Sequence, residues 1–167
     1  MYQLSRRVVL LLAALALVAA ACGGSAGSTT TSAEEMDQGM DTEFLFGEPA
    51  DPAEVDRTIE IIAADDLTFA PAELTVSPGE VITFRVVNNG QIVHDFVLGD
   101  EATQEEHEEE MAEMEGMQHD EANSIGLAAG ETKELTWRFG EEGTVIFGCH
   151  EPGHYAGGMR GLITVGS

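Results

Sequence analysis

Basic residues are scarce in this 167-residue chain: seven Lys and Arg stand against 31 Asp and Glu, a formal charge of −24 at pH 7. Nucleic acid binding needs a Lys/Arg surface to neutralise phosphates, so that partner class is excluded, and anionic lipid would repel the domain. A basic partner would instead be attracted, in a salt-sensitive way. Cysteine is equally sparse, two in all, at positions 22 and 149. Their surroundings argue against a disulfide, because Cys22 closes an apolar leader and Cys149 lies among His and Met. No apolar run reaches the ~20 residues that a spanning helix needs; Val8 to Ala21 supplies fourteen. The chain also has no nucleophile-base pair and no phosphate loop, and it is not expected to be an enzyme.

What is present begins with an address. Two arginines, fourteen apolar residues and a small-residue run ending at Cys22 describe a signal peptide over residues 1–21. Ala19-Ala20-Ala21-Cys22 followed by Gly-Gly-Ser resembles a bacterial lipoprotein cleavage box, which implies acylation of Cys22 and anchoring of the mature chain to the outer face of the cell membrane. Removal of the leader deletes Arg6 and Arg7 but no acid, leaving a net charge near −26. Residues 22–56 are rich in Gly, Ser, Thr, Ala and acid, without sustained periodicity, and read as a flexible acidic linker able to span roughly 30 Å. Phe44 and Phe46 interrupt it, and FLFGEPADP is expected to dock on the domain as an added strand.

From residue 57 to 167 the pattern changes. Strand-like runs occupy 57–63, 72–76, 81–87, 92–98, 133–139, 143–148 and 160–165, with Ile82, Phe84 and Val86 on one face and Leu135, Trp137 and Phe139 on another. Seven short strands separated by Gly and Pro predict an all-β Greek-key β-sandwich of normal single-domain length, expected to be a monomer.

The segment FGCHEPGHYAGGMRG places a thiol, two imidazoles and a thioether between Cys149 and Met159. Thiolate and thioether select a soft ion such as Cu(I), and imidazole holds Cu(II) as well, whereas zinc would gain nothing from Met. Two His, one Cys and a distant Met form an electron-transfer copper centre, and the loop offers Cys149, His154 and Met159. A second His should come from another strand. His94 is the best placed, after the Asn88-Asn89-Gly90 turn and at the head of an alternating run. His150 falls on the opposite strand face from Cys149 and is expected to be an ordinary exposed side chain.

With these residues the sequence resembles the small blue (type 1) copper proteins, or cupredoxins, of the plastocyanin, azurin and auracyanin kind. The resemblance covers residues 57–167. It rests on Phe69-Ala70-Pro71, on VSPGEVITFRVVN, on His94, on LAAGETKELTWRF and on the Cys-x4-His-x4-Met spacing. It implies one copper ion, Cu(I)/Cu(II), held by His94, Cys149, His154 and Met159, with Asp95 bracing the ligand loop.

One stretch departs from the sandwich pattern. Residues 99–124 carry eleven acids between Asp100 and Glu121 and no Lys or Arg, together with His107, Met111, Met114, Met117 and His119. Helical spacing predicts an acidic insertion with a Met stripe packed on the sandwich; the sharper reading is a second Cu(I) site made by those two His and three Met. Two functions follow. The first is a membrane-tethered one-electron carrier, since a single centre with no His-Cys-His triplet leaves no place for oxygen reduction. The second is an extracytoplasmic copper-binding protein for resistance or delivery.

Overall fold

The structure, a computed structural model, describes residues 44–113 and 119–166. The signal peptide, Cys22, most of the linker, Met114 and Met117 lie outside the described residues. The strands are β1 (Gly47–Pro49), β2 (Arg57–Ala64), β3 (Thr68–Ala70), β4 (Glu73–Val76), β5 (Val81–Asn88), β6 (His94–Gly99), β7 (Ser124–Leu127), β8 (Thr132–Phe139), β9 (Gly143–Gly148) and β10 (Arg160–Val165). One helix, α1 (Glu101–Glu113), lies between β6 and β7, and a 3-10 turn covers Pro52–Glu54.

Two five-stranded sheets form, in the orders β1-β8-β5-β2-β3 and β4-β10-β9-β6-β7. Sequence neighbours such as β5 and β6, or β8 and β9, fall in different sheets, so the chain passes repeatedly from one layer to the other, as a Greek-key sandwich requires. Alternation explains the layering: Ile82, Phe84 and Val86 on β5 and Trp137 and Phe139 on β8 are buried, and they face Phe96, Leu98 and Phe147 of the second sheet. Aromatic rings bridge the layers, with Phe84 to Phe96 at 5.4 Å and Phe69 to Phe147 at 5.4 Å between centroids. Each such side chain contributes about 1.5–3 kcal/mol by leaving water.

The sandwich starts earlier than residue 57. Strand β1 pairs with β8, Gly47 opposite Phe139 and Pro49 opposite Trp137. Phe46 is buried and stacks on Trp137 at 5.2 Å, while Phe44 meets the same indole edge-on at 5.3 Å. Phe44 and Phe46 thus dock, and Gly47–Pro49 adds an edge strand, as expected of FLFGEPADP, because two aromatic rings gain more from the Trp137 face than from water.

The insertion forms α1. Asp100 caps it, its Oδ1 accepting from the Thr103 amide and hydroxyl, both at 2.9 Å. Gln104, His107 and Met111 are its buried residues; spaced three and four apart, they share one face. The helix lies on the second sheet through Gln104, whose Nε2 donates to the carbonyls of Val97 on β6 (2.9 Å) and Ile146 on β9 (3.2 Å).

Candidate metal centre

Three of the four expected ligands belong to one loop. Cys149 follows β9, Met159 precedes β10, and His154 lies between them. The two strands are antiparallel, with Gly148 opposite Arg160, so the loop is pinched at its base. Inside it the Cys149 amide donates to the Met159 carbonyl (3.1 Å) and the Met159 amide to the His154 carbonyl (3.0 Å). The tight winding needs positive φ at Gly153 (+84°) and Gly158 (+100°), which L side chains adopt at a cost.

His94 arrives from the opposite direction, at the start of β6. The preceding turn is held by Asn88, whose Nδ2 donates to the carbonyls of Ile92, Leu127 and Ala128 at 2.8–3.2 Å while its Oδ1 accepts from the Gly90 amide at 2.9 Å. Asp65 adds a second clamp by accepting from the amides of Gln91 and Ile92, and its carboxylate lies 3.8 Å from His94 Nε2.

The side chains converge. Cys149 Sγ lies 3.8 Å from His94 Nδ1 and 3.2 Å from His154 Nδ1. His94, Cys149 and Met159 are fully buried, and His154 is half-buried, so the centre reaches solvent by one edge only. Burial pushes the Cys149 thiol far up, with the Asp95 carboxylate adding to the effect. Burial also holds His94 and His154 below the usual imidazole range, His154 further depressing His94. A thiol held toward its protonated form beside two imidazoles held toward neutrality is a soft-metal donor set in which a bound ion would displace the thiol proton. Donor chemistry and convergence both fit copper, with Met159 at the loop end as the weak thioether.

Asp95 sits behind this set. Its amide donates to Cys149 Sγ (3.4 Å) and its Oδ1 accepts from the His150 amide (2.7 Å), so it ties β6 to the ligand loop on both sides of Cys149. Burial raises its carboxyl to about 7.

His150 is not the exposed side chain that strand alternation suggests. It is 2 % exposed, because α1 covers the outer face of β9. Its Nδ1 pairs with Glu108 and its Nε2 with Gln104, each at 2.6 Å, and its ring stacks on Tyr155 at 4.5 Å. Sequence reasoning missed these partners. Gln104 three residues before His107 and Glu108 four after Gln104 were the available signals, readable only once the helix is known to lie on β9. The other expected His of the insertion also gather here: the His107 ring is 5.2 Å from His150 and 5.6 Å from His119. His107 and Met111 are buried, and burial, then His150, lowers the His107 imidazole to about 4.

Comparison with known proteins matches residues 55–166 to the copper binding proteins of the plastocyanin/azurin family. A relative named "Copper-resistant cuproprotein CopI" from Rubrivivax gelatinosus is 38% identical over 125 residues, covering 75% of this chain and 76% of that one. A protein of the same name from Pseudomonas aeruginosa is 34% identical, covering 72% of this chain and 82% of its own length. Among solved structures, reduced auracyanin from Roseiflexus castenholzii superposes with a TM-score of 0.60 at 30% identity, covering 68% of this chain and 99% of that one. By the family match over residues 55–166, by sequence identity to its relatives and by similarity of fold alike, the chain belongs to the plastocyanin/azurin family of copper-binding proteins.

Proposed function

We propose that the chain binds copper outside the cytoplasm in the service of copper resistance, as a cupredoxin lipoprotein anchored through Cys22. The observation that carries this reading is the similarity to proteins named copper-resistant cuproproteins, 38% identical in one case and spanning three quarters of both chains. It moves the balance away from the one-electron carrier that the ligand set alone favours. His94, Cys149, His154 and Met159 would hold the ion, and the ion supplies a one-electron Cu(II)/Cu(I) couple. The protein's share is to release the Cys149 proton, keep both imidazoles neutral, exclude water on the buried side and hold the loop through Asp95.

Growth in graded copper tests the role. In a strain lacking this chain, the wild-type protein should restore tolerance and Cys149→Ser should not, with both proteins present at equal level. Equal tolerance with and without the chain would overturn the resistance role. Acyl labelling that survives Cys22→Ser would overturn the anchor.

Electron transfer is retained as a second reading because Asn88, Asp65 and Asp95 hold the ligand-bearing segments through hydrogen bonds of their own, which would keep rearrangement between the two oxidation states small, and because auracyanin is similar in fold. A basic redox partner would then dock on the acidic surface. Rapid, salt-sensitive electron exchange with such a partner, in a protein whose loss leaves copper tolerance unchanged, would favour that reading.

A further inference from the structure

A second group of metal-ligating side chains lies on the insertion, apart from the Cys149 centre. His107, Glu110, His119 and Glu121 each offer one ligand atom, and all four atoms lie within 4.8 Å of one another. Ligands around a four-coordinate ion with bonds of roughly 2.0–2.2 Å sit about 3.4 Å apart, so closing the set needs shifts of about an ångström. Glu110 is three residues after His107 on α1, which puts both on one face; their side chains already approach to 3.8 Å. His119 and Glu121 come from the return segment and are 3.0 Å apart.

That segment is fixed independently of any ion. Glu121 and Ser124 exchange backbone hydrogen bonds at 3.0 and 3.3 Å, and Asp120 Oδ1 accepts from the Gly126 amide at 2.9 Å. Lys133 donates to both oxygens of Asp120 at 2.9 Å, which leaves this ammonium engaged beside the group rather than across it. His107 is 95% buried and its ring lies between those of His119 and His150. Glu110, His119 and Glu121, with Glu113, line an open surface pocket, so an ion has a route in. One wall is therefore rigid and buried, and the other is open to solvent.

We propose that His107, Glu110, His119 and Glu121 form a second metal site, selective for a borderline divalent cation, Cu(II) ahead of Zn(II). Two imidazoles and two carboxylates lack the soft sulfur that retains Cu(I), and among divalent ions Cu(II) binds such a set most tightly. It differs from the Cu(I) site of two His and three Met expected from the sequence, of which Met114 and Met117 lie outside the described residues. It goes beyond the proposed resistance role without depending on it, since a site can load whether or not the cell needs it.

The chain contains five His, at 94, 107, 119, 150 and 154. His94 and His154 belong to the Cys149 centre, and both ring nitrogens of His150 are taken by Glu108 and Gln104, which leaves His107 and His119 to supply two imidazole nitrogens to a second copper ion. The full chain, first loaded with one equivalent of copper at the Cys149 centre, is titrated with Cu(II) and followed by electron paramagnetic resonance and equilibrium dialysis. A second equivalent should bind with a colourless signal coupled to two imidazole nitrogens, and only a large excess of Zn(II) should displace it, without bleaching the Cys149 chromophore. His119→Gln and Glu121→Gln, both at the pocket's rim, should weaken that second equivalent at least tenfold and leave the first unchanged. His107→Gln should do the same, and the two rim variants decide the matter if it fails to fold. Uptake of a single Cu(II) by wild type, or a second equivalent of undiminished affinity in the His119→Gln/Glu121→Gln double variant, would overturn the site.

Discussion

At the scale of single residues, the Cys149 centre is governed by one weak donor and one buried acid. A distant thioether tunes an electron-transfer copper centre more than it retains the metal. Loss of a donor weakens Cu(II), which prefers more ligands, further than Cu(I). Met159→Leu should therefore keep copper and raise the reduction potential, as measured by redox titration; copper loss to a moderate chelator would show that Met159 anchors the ion instead. Asp95 makes a pH prediction for the metal-free protein. Its folded carboxyl titrates near 7 rather than near 3.8, so the folded state retains a proton that the unfolded chain gives up. Its stabilising contribution is thus complete below the unfolded value and disappears as pH rises through about 7. Asp95→Asn keeps the oxygen that accepts from His150 but has no proton to lose. Relative to wild type, it should gain stability progressively from pH 4 to 7 and remain level above, by at most roughly a few kcal/mol. Urea titrations at four pH values would check this, and a pH-independent difference would refute it.

The elements show what could be read from composition and spacing and what could not. Strands such as β5, β8 and β10 were legible because their apolar residues alternate over six to eight positions, and the ligand loop because four donor types coincide within a Gly/Pro-shaped segment. Strands β3 and β7 were not, since runs of three and four residues carry too little periodicity. The place of α1 was hidden for another reason: its anchor is Gln104, a polar side chain bonded to carbonyls of β6 and β9, and hydropathy carries no trace of such a contact. Gly148 makes the docking possible. A Cβ there would lie 2.6 Å from Gln104 Oε1 and 2.7 Å from the Tyr155 ring. Gly148→Ala should displace α1 from β9, loosen His150 and cost about 1–3 kcal/mol. Amide exchange would report this as faster exchange along α1, with β2, β5 and β8 still protected; uniform loss of protection would point to general unfolding.

On the scale of the molecule, the acidic excess acts on everything at once. From residue 44 onward 26 acids stand against five bases and repel one another across a small domain, and eleven of them crowd the stretch from Asp100 to Glu121. The compact state bears most of that repulsion, and salt screens it over about 10 Å at 0.1 M. Thermal stability should accordingly rise between low salt and 0.2 M sodium chloride, by a few degrees in a calorimeter. The rate of Cu(II) uptake should fall over the same range, because the field that draws the cation in is screened as well. A salt-independent uptake rate would mean that the acids play no part in capture.

The ligand order along the chain has a consequence in time. His94 emerges from the ribosome first, but Cys149, His154 and Met159 follow more than fifty residues later, and the loop that carries them is pinched shut only when β10 pairs with β9 and with β4. A growing chain therefore lacks the assembled four-ligand centre until nearly all of the sandwich has been made. The complete centre is thus a mark of completed synthesis, since a chain truncated before Met159 lacks the full ligand set and one truncated before β10 lacks the strand that closes the loop.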